Sequence, residues 1–166
     1  MEYNIRPLFS NVKLVGRAAT ALSVPVYQEP ENPYKNELDF IDSLKPGDVV
    51  IATQSGAMTA GLWGSLLSTG ARYKGARGAI IDGMTRDTLA IKEMNFPVFI
   101  KGIALGDSKG RIEILNYNQP IKCGGVWVRP GDIVFGDDDG VVVIPQNIVT
   151  EILDLAEEKY EKEKIS

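Results

Sequence analysis

Short apolar runs punctuated by Gly, Pro and Asp alternate along this chain with segments of helical spacing, which predicts strands and helices in turn. Val12 to Val24 mixes polar and apolar positions with β-branched residues and predicts a first strand. Tyr27 to Lys35, with Pro25, Pro30 and Pro33 in or beside it, is a loop. Leu38, Phe40, Ile41 and Leu44 predict a short helix over residues 36–44, after which Lys45-Pro46-Gly47-Asp48 turns the chain into a strand at Val49 to Ala52. Gln54-Ser55-Gly56-Ala57 is a polar loop. Leu62, Leu66 and Leu67, or Trp63, Leu67 and Ala71, share faces at helical spacing, so a helix is predicted to start near Gly61 to Gly64 with its first-turn amides free for an anion. A strand at Ala79 to Asp82, a helix at Thr88 to Met94 and a strand at Pro97 to Lys101 follow.

After Gly102 the pattern becomes short alternating runs: Gly125 to Val128, Asp132 to Phe135 and Gly140 to Ile144. These predict antiparallel strands with a tight turn at Gly136-Asp137-Asp138-Asp139-Gly140. The three aspartates lack calcium-loop spacing, and an Asp-Gly hairpin tip is sufficient reason for them. Residues 148–164 predict a final helix with Val149, Ile152, Leu153, Ala156 and Tyr160 as its apolar stripe and Glu158 placed to pair with Lys162. Pro46-Gly47-Asp48 recurs in kind as Pro130-Gly131-Asp132, which reads as reused turn chemistry in a single domain rather than a repeat.

The 166 residues carry a net charge of −4, with Lys and Arg scattered, which argues against a nucleic-acid surface. No apolar run approaches the roughly 20 residues that span a bilayer, and no signal-peptide core opens the chain, so no membrane partner and a cytoplasmic location are expected. The one cysteine, Cys123, lies in a strand-like run and reads as a buried small hydrophobe rather than a nucleophile. Histidine is absent altogether. That removes His-based triads, imidazole-bound zinc and the commonest general base, leaving carboxylates, Arg, Lys, hydroxyls and backbone amides with a hard, oxygen-bound cation such as Mg²⁺ or Mn²⁺.

The candidate chemistry sits at Gly78-Ala79-Ile80-Ile81-Asp82-Gly83-Met84-Thr85-Arg86-Asp87, where an apolar strand ends in a glycine-containing turn that presents a guanidinium beside a carboxylate. Such a pair at the carboxyl end of a strand holds an anionic substrate and a cation together. The alternative is structural: Asp87 caps the helix that follows and Arg86 is a solvated charge.

Val15-Gly16-Arg17-Ala18, Gly61-Leu62-Trp63-Gly64, the run from Gly75 to Asp87, Phe96-Pro97-Val98-Phe99, and Cys123 to Asp132 followed by Gly136 to Val141 together resemble the RraA-like family. That family contains the regulator of ribonuclease activity A and divergent class II aldolases acting on 4-hydroxy-2-oxo acids. The resemblance implies an α/β fold, a swivelling β/β/α domain with mixed sheets and flanking helices, assembled as a homotrimer or hexamer with the active site between subunits. It implies that Arg86 binds the pyruvate moiety of a small 2-oxo acid, that Asp87 ligates Mg²⁺ or Mn²⁺, and that Gly64, Ser65, Leu66 and Leu67 supply amides to the substrate. In the aldolases an acidic residue stands where this chain has Ser65, and a further acidic residue comes from a neighbouring subunit's C-terminal region, with Glu157, Glu158, Glu161 and Glu163 as candidates here. Family members also commonly carry a helical segment before the region matching Ile5 to Phe9, which is expected to be missing or clipped here. Two functions follow: a metal-dependent lyase releasing pyruvate from 4-hydroxy-2-oxo acids or oxaloacetate, favoured by Arg86-Asp87, and a non-catalytic ribonuclease-inhibitor-type binding protein, favoured by Ser65. A methyltransferase reading lacks support, because no glycine-rich strand-to-helix cofactor loop with a downstream acidic partner is present.

Overall fold

A computed structural model of the chain describes residues 1–165. Among them, nine strands form one mixed sheet, with the main path β1 (Arg6–Pro7), β6 (Val98–Ile103), β5 (Gly78–Thr85), β3 (Asp48–Thr53), β2 (Leu14–Pro25), β10 (Ile133–Asp137) and β11 (Gly140–Ile144). β4 (Gly61–Trp63) adds to β5, and β7 (Ile112–Tyr117) adds to β2. The centre is parallel, β2 to β3 to β5 to β6, and its continuous apolar runs reflect burial on both faces. Val50 and Ala52 of β3 and Ala79 and Ile81 of β5 face one core, shared with the helices; Val49, Ile51 and Ile80 face a second core. That second core is closed by Ile121, Cys123 and Val128 of the antiparallel hairpin β8 (Ile121–Cys123) and β9 (Val126–Val128). Hairpin, sheet and helices are therefore the β, β and α layers that the sequence implied.

The helices are α1 (Lys35–Ser43), α2 (Ser65–Tyr73), α3 (Thr88–Glu93) and, after a short 3-10 turn, α4 (Val149–Ile165). One expectation about the elements is corrected. Gly61 to Trp63 is strand β4, stopped by extended Gly64, so α2 begins only at Ser65; pairing with the end of β5 that runs past β3 overrides the helical spacing of Leu62 and Trp63. In α1 the inward face is Glu37, Phe40 and Ile41, while Leu38 is exposed. The apolar stripe of α4 is covered by its own chain at its start alone: Val149 and Ile152 are half-buried, whereas Leu153 and Tyr160 are exposed. β1 and β7 are strands that the apolar pattern did not disclose.

The turns follow their predicted chemistry. In both Pro-Gly-Asp turns the aspartate accepts the backbone N–H three residues earlier: Lys45 N to Asp48 at 2.9 Å, and Arg129 N to Asp132 at 2.8 Å. At the β10–β11 tip, Asp137 accepts from Asp139 N and Asp138 accepts from Asn11 N and Val12 N, so these carboxylates hold backbone. Glu158 and Lys162 pair on α4 as spaced. No helix among the described residues is long and apolar enough to cross a membrane.

Candidate active site

Arg86 and Asp87 lie just past the carboxyl end of β5, beside β4 and the start of α2. A buried amide helps to fix this corner: Gln54 donates Nε2 to Ala60 O at 2.7 Å and accepts Met84 N at 2.5 Å. Arg86 N bonds Trp63 O at 2.9 Å, which ties the strand end to β4. Trp63 in turn donates its indole N–H to Ser68 Oγ at 2.8 Å inside α2. Among the described residues one buried side-chain polar atom has no hydrogen-bond partner: the hydroxyl of Thr85, next to Arg86.

Asp87 adopts a left-handed φ of 57° and its carbonyl accepts Ile91 N at 3.1 Å, so its backbone starts α3. Its side chain does not cap α3. Instead Oδ2 accepts Ser65 N at 3.0 Å and Ser65 Oγ at 2.9 Å, capping α2 from outside that helix. The expectation of free first-turn amides is corrected accordingly: the Ser65 N–H is taken, whereas Leu66 and Leu67 lie where helix geometry leaves N–H groups without intrahelical acceptors. Gly64 is required for space. A Cβ there would stand 2.8 Å from Asp87 Oδ2 and 3.4 Å from Arg86 Cγ.

The Arg86 guanidinium donates Nη1 to Gly61 O at 2.8 Å, sets Nη2 3.0 Å from Asp107 Oδ1, and leaves Nε 3.9 Å from Asp87 Oδ2. Asp107 and its neighbours were not legible beforehand. Asp107 sits in the β6–β7 loop, where it also accepts Ser108 N at 2.7 Å and the Tyr34 hydroxyl. Partial burial pushes its carboxyl upward, but the Tyr34 hydroxyl, Arg86 and Ser108 together bring it below the usual value. The same hydrogen bond raises the Tyr34 hydroxyl to about 12. Glu37 of α1 is buried nearby; desolvation, with Asp107 adding to it and Ser108 and Arg86 opposing, raises its carboxyl to about 7. Tyr34, Glu37 and Ser108 share the wall of a cavity of about 220 Å³.

Gly64 and Ser65, at the start of the helix that carries Leu66 and Leu67, thus lie against Arg86 and Asp87. Glu157, Glu158, Glu161 and Glu163 stand on exposed α4, where Glu158, Glu161 and Glu163 pair with lysines of the same helix. Cys123 is fully buried, and desolvation raises its thiol far from reactivity. No group of three or more Cys, Asp or Glu among the described residues is arranged to cage a metal ion. A cation held by one carboxylate, water and substrate oxygens does fit, because Asp87 keeps Oδ1 without a hydrogen-bond partner and is partly open to solvent.

Residues 1–143 match the family model described as RraA-like: Aldolase/RraA. A Halalkalibacterium halodurans protein provisionally named 4-hydroxy-4-methyl-2-oxoglutarate aldolase is 37% identical over 93% of this chain and 70% of its own length. Legionella pneumophila DlpA is 32% identical over 90% of the chain, which spans only 24% of that longer protein. Among solved structures, one described as novel cellulases from gut-associated microbes superposes with a TM-score of 0.95 at 34% identity, covering all of this chain and 74% of the other. Streptomyces coelicolor RraAS2, described as an unusual member of the RNase ES inhibitor RraA family, superposes at 0.89 with 28% identity, covering 97% and 80%.

Proposed function

The chain belongs to the RraA-like family, and from that premise we propose that it is a cytoplasmic lyase. It would release pyruvate from a 4-hydroxy-2-oxo acid, or from oxaloacetate by decarboxylation, with Mg²⁺ or Mn²⁺ as cofactor and as a homotrimer or hexamer. The observation that carries this reading is the convergence of a held guanidinium, a partly open carboxylate and a helix amino terminus on one corner of the sheet. Arg86 would pair with the substrate carboxylate through the N–H groups it spends on neither Gly61 nor Asp107. Leu66 and Leu67 N–H groups, at the positive end of α2, would stabilise negative charge developing on the substrate. Asp87 would hold the cation through Oδ1 while Oδ2 stays with Ser65. When bound, that cation polarises the 2-oxo group as a Lewis acid. The buried apolar side chains beneath limit water on the protein side.

Ser65 favours a second reading. With a hydroxyl where the aldolases carry an acid, the site is weaker for metal-water chemistry, and the fit to RraAS2 supports a non-catalytic binding protein of the ribonuclease-inhibitor type. A glycosidase, which the first structural neighbour's description raises, commonly needs two free carboxyl groups across a sugar; here Asp87 and Asp107 are both engaged. One experiment separates these readings: pyruvate release from several 4-hydroxy-2-oxo acids and oxaloacetate, with Mg²⁺, Mn²⁺ or chelator, in wild type and Asp87→Asn. The lyase reading expects cation-dependent turnover that Asp87→Asn lowers at least 100-fold, since it removes the direct ligand and several kcal/mol of charge stabilisation. Absence of turnover in the folded, assembled wild type favours the binding protein.

A further inference from the structure

Arg86 stands between two carboxylates, and the structure shows which one holds it. Nη2 is 3.0 Å from Asp107 Oδ1, whereas Nε is 3.9 Å from Asp87 Oδ2. Both acids are partly exposed to similar degrees, so the shorter separation marks the stronger tie. Asp107 is itself fixed on both oxygens, Oδ1 by Ser108 N and Oδ2 by the Tyr34 hydroxyl. Tyr34 is in turn an anchored residue: it takes a left-handed φ of 70°, uncommon for a residue with a Cβ, and its carbonyl accepts Leu38 N at 2.9 Å to begin α1. A line of contacts therefore runs from the start of α1 through the β6–β7 loop to the guanidinium.

We propose that Asp107, oriented by Tyr34, is a positioning residue that holds the Arg86 guanidinium away from Asp87. The proposal rests on the lyase reading for its catalytic meaning, not for its geometry. Without Asp107 the guanidinium keeps its Gly61 bond alone and becomes mobile enough to swing toward Asp87, the other carboxylate within 4 Å of it, and each excursion onto that carboxylate would do two kinds of damage. It would neutralise the group proposed to ligate the cation, and it would turn the guanidinium from the substrate carboxylate.

The test reads Arg86 directly. In ¹⁵N-labelled protein the Arg86 side-chain signals, identified by their loss in Arg86→Lys, are expected to show hindered guanidinium rotation in wild type, faster rotation in Asp107→Asn, where the Gly61 bond remains, and intermediate behaviour in Tyr34→Phe. Asp107→Glu, which keeps the charge, is expected to restore part of the hindrance. In parallel, Asp107→Asn is expected to raise KM for oxaloacetate, and the oxalate dissociation constant with Mn²⁺ present, on the order of 10-fold, with kcat changed less. If Asp107→Asn does not fold, Tyr34→Phe, which removes one partly exposed hydroxyl, is read in its place. A freely rotating Arg86 in wild type, or one equally hindered in Asp107→Asn or, in its place, Tyr34→Phe, overturns the proposal. Hindrance lost on substitution in a wild type that turns over no 2-oxo acid leaves the positioning role standing and removes the lyase reading.

Discussion

Ser65 gives both its backbone N–H and its hydroxyl to one oxygen of Asp87. The carboxylate that fixes the start of α2 is thereby half committed before any cation arrives. Replacing Ser65 by Asp exchanges a donor for a second carboxylate within reach of the same point in space. With a divalent cation at Asp87 the two charges share it, and Ser65→Asp is expected to tighten Mn²⁺ binding on the order of 10-fold and to raise pyruvate release. Mn²⁺ titration and an oxaloacetate decarboxylation assay on the same samples check this; weaker Mn²⁺ binding with no gain in rate counts against a cation at this corner. Arg86 and Asp87 were legible in the sequence because they are adjacent and follow an apolar run into a strand end. Asp107 and Tyr34 were not, being 73 residues apart and joined only by folding. Glu37 was missed for a different reason: helical spacing in α1 pointed to Leu38, and a buried carboxyl breaks the rule that charged residues lie outside.

At the scale of elements, the approach of α2 to the end of β5 depends on Gly64. Its backbone is extended, which any residue tolerates, so the requirement is for space rather than conformation. Gly64→Ala sets a methyl group 2.8 Å from Asp87 Oδ2, and the carboxylate must leave Ser65 to admit it. The buried bonds of Trp63 and Ser68 are untouched, so helix content and melting temperature should change little while cation-dependent turnover falls at least 10-fold. Circular dichroism with an activity assay decides it; full activity would show that the cap on α2 is dispensable. The central strands could be read because burial on both faces produces unbroken apolar runs bounded by Gly and Pro. β4 could not be read: three residues cannot display a period, and pairing with β5 turned helix-spaced residues into a strand. α4 was placed correctly but its stripe beyond Ile152 is exposed, which accords with the proposed assembly of several copies.

For the whole molecule, two carboxyl side chains are buried among the described residues, Asp132 on the backbone N–H groups of Arg129 and Gln146, and Glu37 against the β6–β7 loop, and Glu37 sets how stability should vary with pH. Glu37 is 7% exposed, and desolvation raises its carboxyl from an ordinary 4.5 to about 7. The charged groups acting on it are Asp107, which adds to the rise, and Arg86, which opposes it. A carboxyl that holds its proton more tightly when folded makes the folded state bind more protons than the unfolded one between those two values. Stability must therefore fall as pH rises through that window and level off above it. The size of the rise corresponds to about 3 kcal/mol at pH 8. Asp107 acts in the opposite sense and only at acid pH below its ordinary carboxylate value, so it does not blur the window. Glu37→Gln keeps the shape and cannot ionise. It is expected to be about 2 to 3 kcal/mol more stable than wild type at pH 8 and within about 1 kcal/mol of it at pH 5, with urea unfolding at both pH values as the measurement. A wild type whose stability is flat from pH 5 to 8, or a Gln variant no more stable at pH 8, would mean that Arg86 and Ser108 hold Glu37 ionised inside the fold. In that case a second negative charge stands behind Asp107 and draws on the same guanidinium.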